Sequence, residues 1–106
     1  MIFRGAVYEL KALPGTQGHE QQGPRYAVVI QSDRFATSTI TVALTSTSAG
    51  HAVYRPEIEL DGKTTRILTD QIHTVAPARL GDFTGGLEGH ELADLDRALM
   101  LKLRLF

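Results

Sequence analysis

The side chains with the greatest chemical potential are scattered along the sequence and form no familiar catalytic or metal-binding motif. Histidine occurs four times, always singly, and cysteine is absent, so no pair of ligands predicts a bound metal ion. No Gly-rich loop precedes a helical pattern, and no Gly-x-Ser-x-Gly segment offers an activated serine. We therefore expect neither a metal ion nor another cofactor.

Two polar side chains stand where predicted loops and strands meet. Arg25 follows a polar, Gly- and Pro-rich stretch at positions 13–24, and Thr45 ends an alternating segment. Loops of this length are uncommon in compact domains and are often functional. Guanidinium is a permanent cation whose planar donors fit a carboxylate or a phosphate, and a hydroxyl can hydrogen-bond the same groups. Residue type alone leaves the choice open, because Arg25 also suits a surface ion pair and Thr45 an ordinary strand end.

Short apolar and alternating segments predict a mainly β domain that would position these side chains. The run Tyr26–Gln31 is almost continuously apolar, which indicates a strand buried on both faces. The dipeptide Asp61-Gly62 between two alternating segments predicts a tight hairpin. The predicted strands cover 7–10, 26–31, 39–44, 57–60, 64–68 and 72–75, with a short last strand at 83–84.

The pattern changes to a helical period from Glu88 onward. Leu92, Leu95, Leu99 and Leu103 recur at helical spacing, acidic residues come early and basic residues late, and Gly89 is the predicted N-cap. The apolar stripe must cover one face or opening of the sheet. We therefore predict one domain over residues 1–106, mainly β with a C-terminal helix, folded as a small, partly open barrel.

Charge and hydropathy limit the binding partners and the cellular compartment that can be expected for this domain. The formal net charge is −1, so a binding site for nucleic acid needs a local cluster of cations or one assembled across an oligomer. No run of about 18 apolar residues predicts a membrane span, and the N-terminus has no signal-peptide pattern. A cysteine-free chain suits a reducing compartment, and we expect a cytoplasmic protein without membrane contact.

Five segments, in order and at matching spacing, follow the pattern of one known family. They are Arg-Gly-Ala-Val-Tyr at 4–8, Gly-His-Glu at 18–20 with Arg25, Ala-Val-Val-Ile-Gln at 27–31, Ala-Leu-Thr-Ser at 43–46, and Asp-Gln-Ile-His-Thr-Val at 70–75. Together they resemble the MazF/PemK toxins of toxin–antitoxin pairs. Tyr26, Ala43 and His73 depart from that pattern, which has proline, proline and arginine there.

The resemblance implies an SH3-like barrel of the CcdB/PemK type, a homodimer, and sequence-selective cleavage of single-stranded RNA. It also implies neutralisation by a cognate antitoxin. By the same resemblance, Arg25 and Thr45 are the catalytic residues. The residues that it places against RNA are Glu20, Gln22, Ser46, Asp70, Gln71 and His73.

RNA supplies its own nucleophile, the 2′-OH, so the enzyme must position the attack, move protons and stabilise charge on phosphorus. Arg25 suits charge stabilisation and Thr45 suits a hydrogen bond to the phosphate. Histidine titrates near neutral pH, so His73 or His19 is our candidate for proton transfer, with His73 preferred. Two alternatives remain: a CcdB-like toxin that poisons gyrase by protein binding, and a non-catalytic SH3-like module that binds a peptide.

Overall fold

A computed structural model describes residues 2–11 and 25–106 of the chain. Within these residues, six strands and a short 3-10 helix precede one C-terminal α-helix. The elements are β1 (Ala6–Leu10), β2 (Arg25–Val29), β3 (Ile40–Ser46), β4 (Glu57–Leu60), β5 (Lys63–Val75), the 3-10 helix (Pro77–Arg79), β6 (Leu80–Gly86) and α1 (Gly89–Leu103).

The six strands form one antiparallel sheet in the order β4-β5-β3-β2-β1-β6, curved into a nearly closed barrel. The prediction of a mainly β barrel with a C-terminal helix is therefore confirmed. One difference concerns the segments 64–68 and 72–75, which the sequence pattern separates. They belong to a single 13-residue strand, β5, which changes register against β3 in its middle.

Both faces of the central strands are buried, because side chains alternate between two apolar clusters. Tyr8 and Ala27 belong to the cluster inside the barrel. Their neighbours Val7 and Val28 belong to a second cluster, which Leu95 of α1 covers from outside. This two-sided burial explains why β2 is an almost continuous apolar run rather than an alternating one.

The hairpin between β4 and β5 follows from local backbone preference. Asp61 and Gly62 both have positive φ, 53° and 76°, and they connect the facing pair Leu60 and Lys63. A two-residue turn with two positive φ angles matches the right-handed twist of the flanking strands. The Asp61-Gly62 prediction is therefore confirmed.

The start of α1 differs from the prediction that Gly89 caps it. The N-cap is Glu88, whose side chain and that of Glu91 form a reciprocal capping box. The buried Glu91 carboxylate accepts one hydrogen bond from the Glu88 amide (2.9 Å) and another from the Glu59 amide of β4 (3.1 Å). Glu91 thus joins the helix start to an edge strand. Among the described residues no helix is long and apolar enough to span a membrane.

We predict that Glu91→Ala lowers the free energy of unfolding by about 1–3 kcal/mol, because two amide donors lose their acceptor. Urea titration followed by circular dichroism measures the loss. The control Asp94→Ala removes one side of an exposed ion pair with Arg97 and should change stability by less than about 0.5 kcal/mol. Equal losses in the two variants would contradict a special role for Glu91.

Candidate active site

Arg25 and Thr45 occupy adjacent strands at the same end of the barrel. Arg25 is the first residue of β2 and pairs with Leu10 of β1, and Thr45 is the last but one residue of β3. The β2–β3 register pairs Ala27 with Leu44, and its continuation sets Tyr26 opposite Thr45. The Thr45 hydroxyl donates a long, 3.5 Å hydrogen bond to the Tyr26 carbonyl.

The two side chains leave the sheet on different faces. Arg25 shares the face of Ala27 and Leu44, which belong to the inner cluster, whereas Thr45 shares the face of Tyr26, because successive strand residues alternate. Thr45 is buried and Arg25 is half-buried. The backbones are therefore neighbours, and convergence of the two side chains on one phosphate stays a prediction.

Ser46 and Arg66 lie in the same cross-strand row as Arg25. Ser46 pairs with Arg66 of β5, and the β2–β3 register continues to place Ser46 opposite Arg25. The Ser46 hydroxyl accepts hydrogen bonds from the amides of Ser48 and Ala49 (3.2 and 3.0 Å), so it caps the turn that follows β3. Ser46 was predicted to contact RNA, and in the structure its hydroxyl supports this turn.

Arg66 is a cation near the predicted site that sequence analysis missed. Its Nη1 donates to the Ala49 carbonyl and its Nη2 to the Glu57 carboxylate, each at 2.8 Å. Its Nε is buried without a hydrogen-bond partner. Nothing in the local pattern Thr-Thr-Arg-Ile marks Arg66, since its partners come from the turn after β3 and from β4.

Asp70 and Gln71 lie in a bulge of β5. The pairs Leu44–Leu68 and Ala43–Ile72 are consecutive on β3, so residues 69–71 have no partners on that strand. Gln71 is exposed. His73 is also exposed and pairs with Val42, beyond the bulge. The structure therefore groups Asp70, Gln71 and His73 on one stretch of β5. This stretch is separate from the cross-strand row of Arg25, Ser46 and Arg66.

The Asp70 carboxylate is held by Arg55, a second residue that sequence analysis missed. Arg55 donates from Nε to one carboxylate oxygen (3.1 Å) and from Nη2 to the other (2.8 Å). These hydrogen bonds, with the Arg55 charge, keep the pKa of Asp70 below its ordinary value. The adjacent Tyr54 ring contacts the Lys102 ammonium at 4.7 Å, which brings the end of α1 to this group.

The remaining predicted residues, Glu20, Gln22 and His19, lie outside the described residues. Within 2–11 and 25–106, no group of three or more potential ligands among His, Asp and Glu could hold a metal ion. The geometry offers a barrel rim with two arginines and two hydroxyls, and beside it the β5 bulge with the exposed Gln71 amide, followed by the exposed His73 imidazole.

The lowered pKa of Asp70 predicts a pH-dependent contribution to stability. A carboxyl that titrates lower in the folded state stabilises it above the unfolded value of about 3.9, and this contribution disappears as the pH falls through the folded pKa. Asp70→Asn should therefore be less stable than wild type at pH 7, and the difference should shrink below about pH 4. Urea titrations at pH 7, 4 and 3 test this; a difference that does not change with pH contradicts it.

Comparison with protein families identifies relatives along almost the whole chain. Residues 3–103 match the family described as PemK-like, MazF-like toxin of type II toxin-antitoxin system. A Mycobacterium tuberculosis protein named "Putative toxin Rv3098A/RVBD_3098A" is 43% identical over 106 residues, which cover 99% of this chain and all of that protein.

Solved structures share the fold at low sequence identity. An endoribonuclease in complex with its cognate antitoxin, from Mycobacterial species, has a TM-score of 0.81 at 18% identity and covers 100% of this chain and 98% of its own. MazF from Deinococcus radiodurans has a TM-score of 0.75 at 19% identity and covers 97% of this chain and 96% of its own. By its match over residues 3–103 and its 43% identical relative, this chain belongs to the PemK-like, MazF-like toxin family of type II toxin–antitoxin systems.

Proposed function

We propose that this protein is a toxin endoribonuclease that cuts single-stranded RNA at selected sequences and is neutralised by a cognate antitoxin. The observation that carries the proposal is the family match over residues 3–103. It is supported by structural neighbours that are described as endoribonucleases and toxins of the MazF type. The gyrase-poisoning alternative has no comparable support, since the matched family is the PemK-like, MazF-like one.

The reaction that we propose uses the RNA as its own nucleophile. The 2′ oxygen forms a bond to the neighbouring phosphorus while the bond from phosphorus to the 5′ oxygen breaks. A base takes the 2′ proton and the departing 5′ oxygen gains one, which leaves a 2′,3′-cyclic phosphate and a 5′-hydroxyl. The protein's tasks are to orient the phosphate, to move these protons and to stabilise the charge that develops on the phosphoryl oxygens.

Arg25 is our candidate for charge stabilisation. Its guanidinium stays protonated, and its paired N–H groups can bind two phosphoryl oxygens at once. Thr45 is our candidate for a neutral donor to the same phosphate. Its hydroxyl must turn away from the Tyr26 carbonyl to donate, and the 3.5 Å length of that bond makes the exchange a small loss.

His73 suits a contact with a nucleotide beside the cut better than a role at the cut itself. It pairs with Val42, three residues before Thr45 on β3. At about 3.4 Å per residue this separates the two positions by about 10 Å, which exceeds the reach of direct proton transfer. We therefore propose that His73 and Gln71 contact RNA bases, and that His73 does not transfer a proton at the cut.

We propose a homodimer, because two chains together can present more cations to RNA than one chain of net charge −1. The chain has a formal net charge of −1, and two-fold pairing would double the number of arginines that one RNA strand can contact. The structure supports a second copy as the partner through apolar residues exposed at the end of α1. Met100, Leu103 and Leu105 line a groove of about 420 Å³ that continues to Ile30. We also propose a cytoplasmic location, where single-stranded RNA is abundant.

We expect purified protein to cut single-stranded RNA in the presence of a metal chelator. Arg25→Ala should lower the rate about 100- to 1000-fold, because one preorganised donor group is lost. A 2′-deoxy substitution at the cut site should block cleavage altogether. End-mapping of labelled RNA measures both effects, with Arg97→Ala as the arginine control. Unchanged cleavage by the Arg25 variant would overturn its role, and no cleavage by wild type would overturn the function.

The dimer proposal has its own test in solution. Leu103→Asp places a charge on the exposed apolar end of α1 and should shift the protein from dimer to monomer in sedimentation velocity. Val53→Asp is the matched control, since Val53 is apolar and 76% exposed but lies elsewhere, in the turn before β4. A wild-type monomer at micromolar concentration, or equal dissociation in both variants, would refute this interface.

A further inference from the structure

The segment between β3 and β4, residues 47–56, is held to the barrel by side chains from β3, from β5 and from the segment itself. Ser46 holds its start through the amides of Ser48 and Ala49, and Arg66 holds the Ala49 carbonyl. Arg55 donates from Nη1 to the Gly50 carbonyl (3.3 Å), which ties the segment to itself.

The same segment is joined to the β5 bulge at two consecutive residues. The Thr69 hydroxyl donates to the Tyr54 carbonyl, and Asp70 accepts both donors of the Arg55 fork. Arg55 and Asp70 are each about 20% exposed, so solvent screens this pair less than an exposed one. The bulge has no partners on β3, so these contacts take the place of the missing strand pairing.

The third bulge residue, Gln71, is exposed next to the hydrogen-bonded residues Thr69 and Asp70. Its amide carries both a donor and an acceptor, which is the combination that reads the edge of a base. Asp70 has its charge neutralised by Arg55 and is poorly suited to contact RNA itself. Base reading by Gln71 requires a fixed direction, and the backbone of the bulge sets that direction.

We propose that Arg55 is a specificity-determining positioning residue: through Asp70 it fixes the β5 bulge so that Gln71 meets one base of the RNA. This inference rests on the proposed endoribonuclease function. It assigns Asp70 to positioning rather than to RNA contact, and it adds a residue from outside the family-like segments. A lysine at position 55 would keep the positive charge but lose the bidentate hydrogen bonding to Asp70. The effect of charge can therefore be separated from the effect of positioning.

The experiment compares cleavage of a randomised single-stranded RNA pool by wild type, Arg55→Lys, Asp70→Asn and Gln71→Ala, with mapped ends sequenced. We expect all three variants to lose about tenfold of the preference at one and the same base position. Arg55→Lys, which changes no predicted RNA contact, should keep its cleavage rate on RNA sequences that lack the preferred base. Arg97→Lys is the matched control, since Arg97 forms an exposed ion pair with Asp94. It should keep the wild-type preference.

Two further measurements separate positioning from simple loss of structure. Amide hydrogen exchange over residues 47–56 should be faster in Arg55→Lys than in Arg97→Lys, and the reversed pair Arg55→Asp with Asp70→Arg should restore part of the preference. A uniform loss of cleavage with the base preference intact would overturn the inference and leave the endoribonuclease function standing. Absence of any cleavage by wild type would overturn both.

Discussion

The three-residue bulge of β5 is the constraint on which the rest of this barrel depends. Strand β3 is continuous, yet its partner pairs with it in two registers, through Leu68 on one side and Ile72 on the other. The extra residues bend β5, as bulges do in small barrels. One strand can therefore pair with β4 at its start and still reach the crossover to β6. The bulge that bends β5 also contains the exposed Gln71.

Charged groups around the candidate site are mostly satisfied within the protein. Arg55 binds Asp70 and Arg66 binds Glu57, each through an ion pair of 2.8 Å. Such pairing explains how a domain of net charge −1 can keep arginines near the proposed RNA surface without a strong overall field. The residues predicted to contact RNA fall into two groups. Ser46 and Asp70 form hydrogen bonds within the protein, whereas Gln71 and His73 are exposed.

Local pattern predicted most of the fold, because strand alternation, the Asp61-Gly62 turn and the helical leucine spacing depend on neighbouring residues. It did not predict the features that arise from pairing over long distances. The continuity of β5 depends on β3, and Arg55 meets Asp70 fifteen residues away. At the helix start, Glu88 is an unusual N-cap whose partner, Glu91, is also fixed by Glu59 of β4. The identities of the candidate site residues were predicted from the family resemblance. Their relative positions could be described only from the strand register of the structure.

The register also constrains where cleavage can take place, if Arg25 and Thr45 act together. Their Cβ atoms point to opposite faces of the sheet, so one phosphate cannot meet both in the middle of either face. Arg25 begins β2, however, and Thr45 is the last but one residue of β3, so both lie close to the rim at which the two faces of the sheet meet. In the function that we propose, RNA would cross this rim and contact Arg25 from the inner face and the Thr45 hydroxyl from the other.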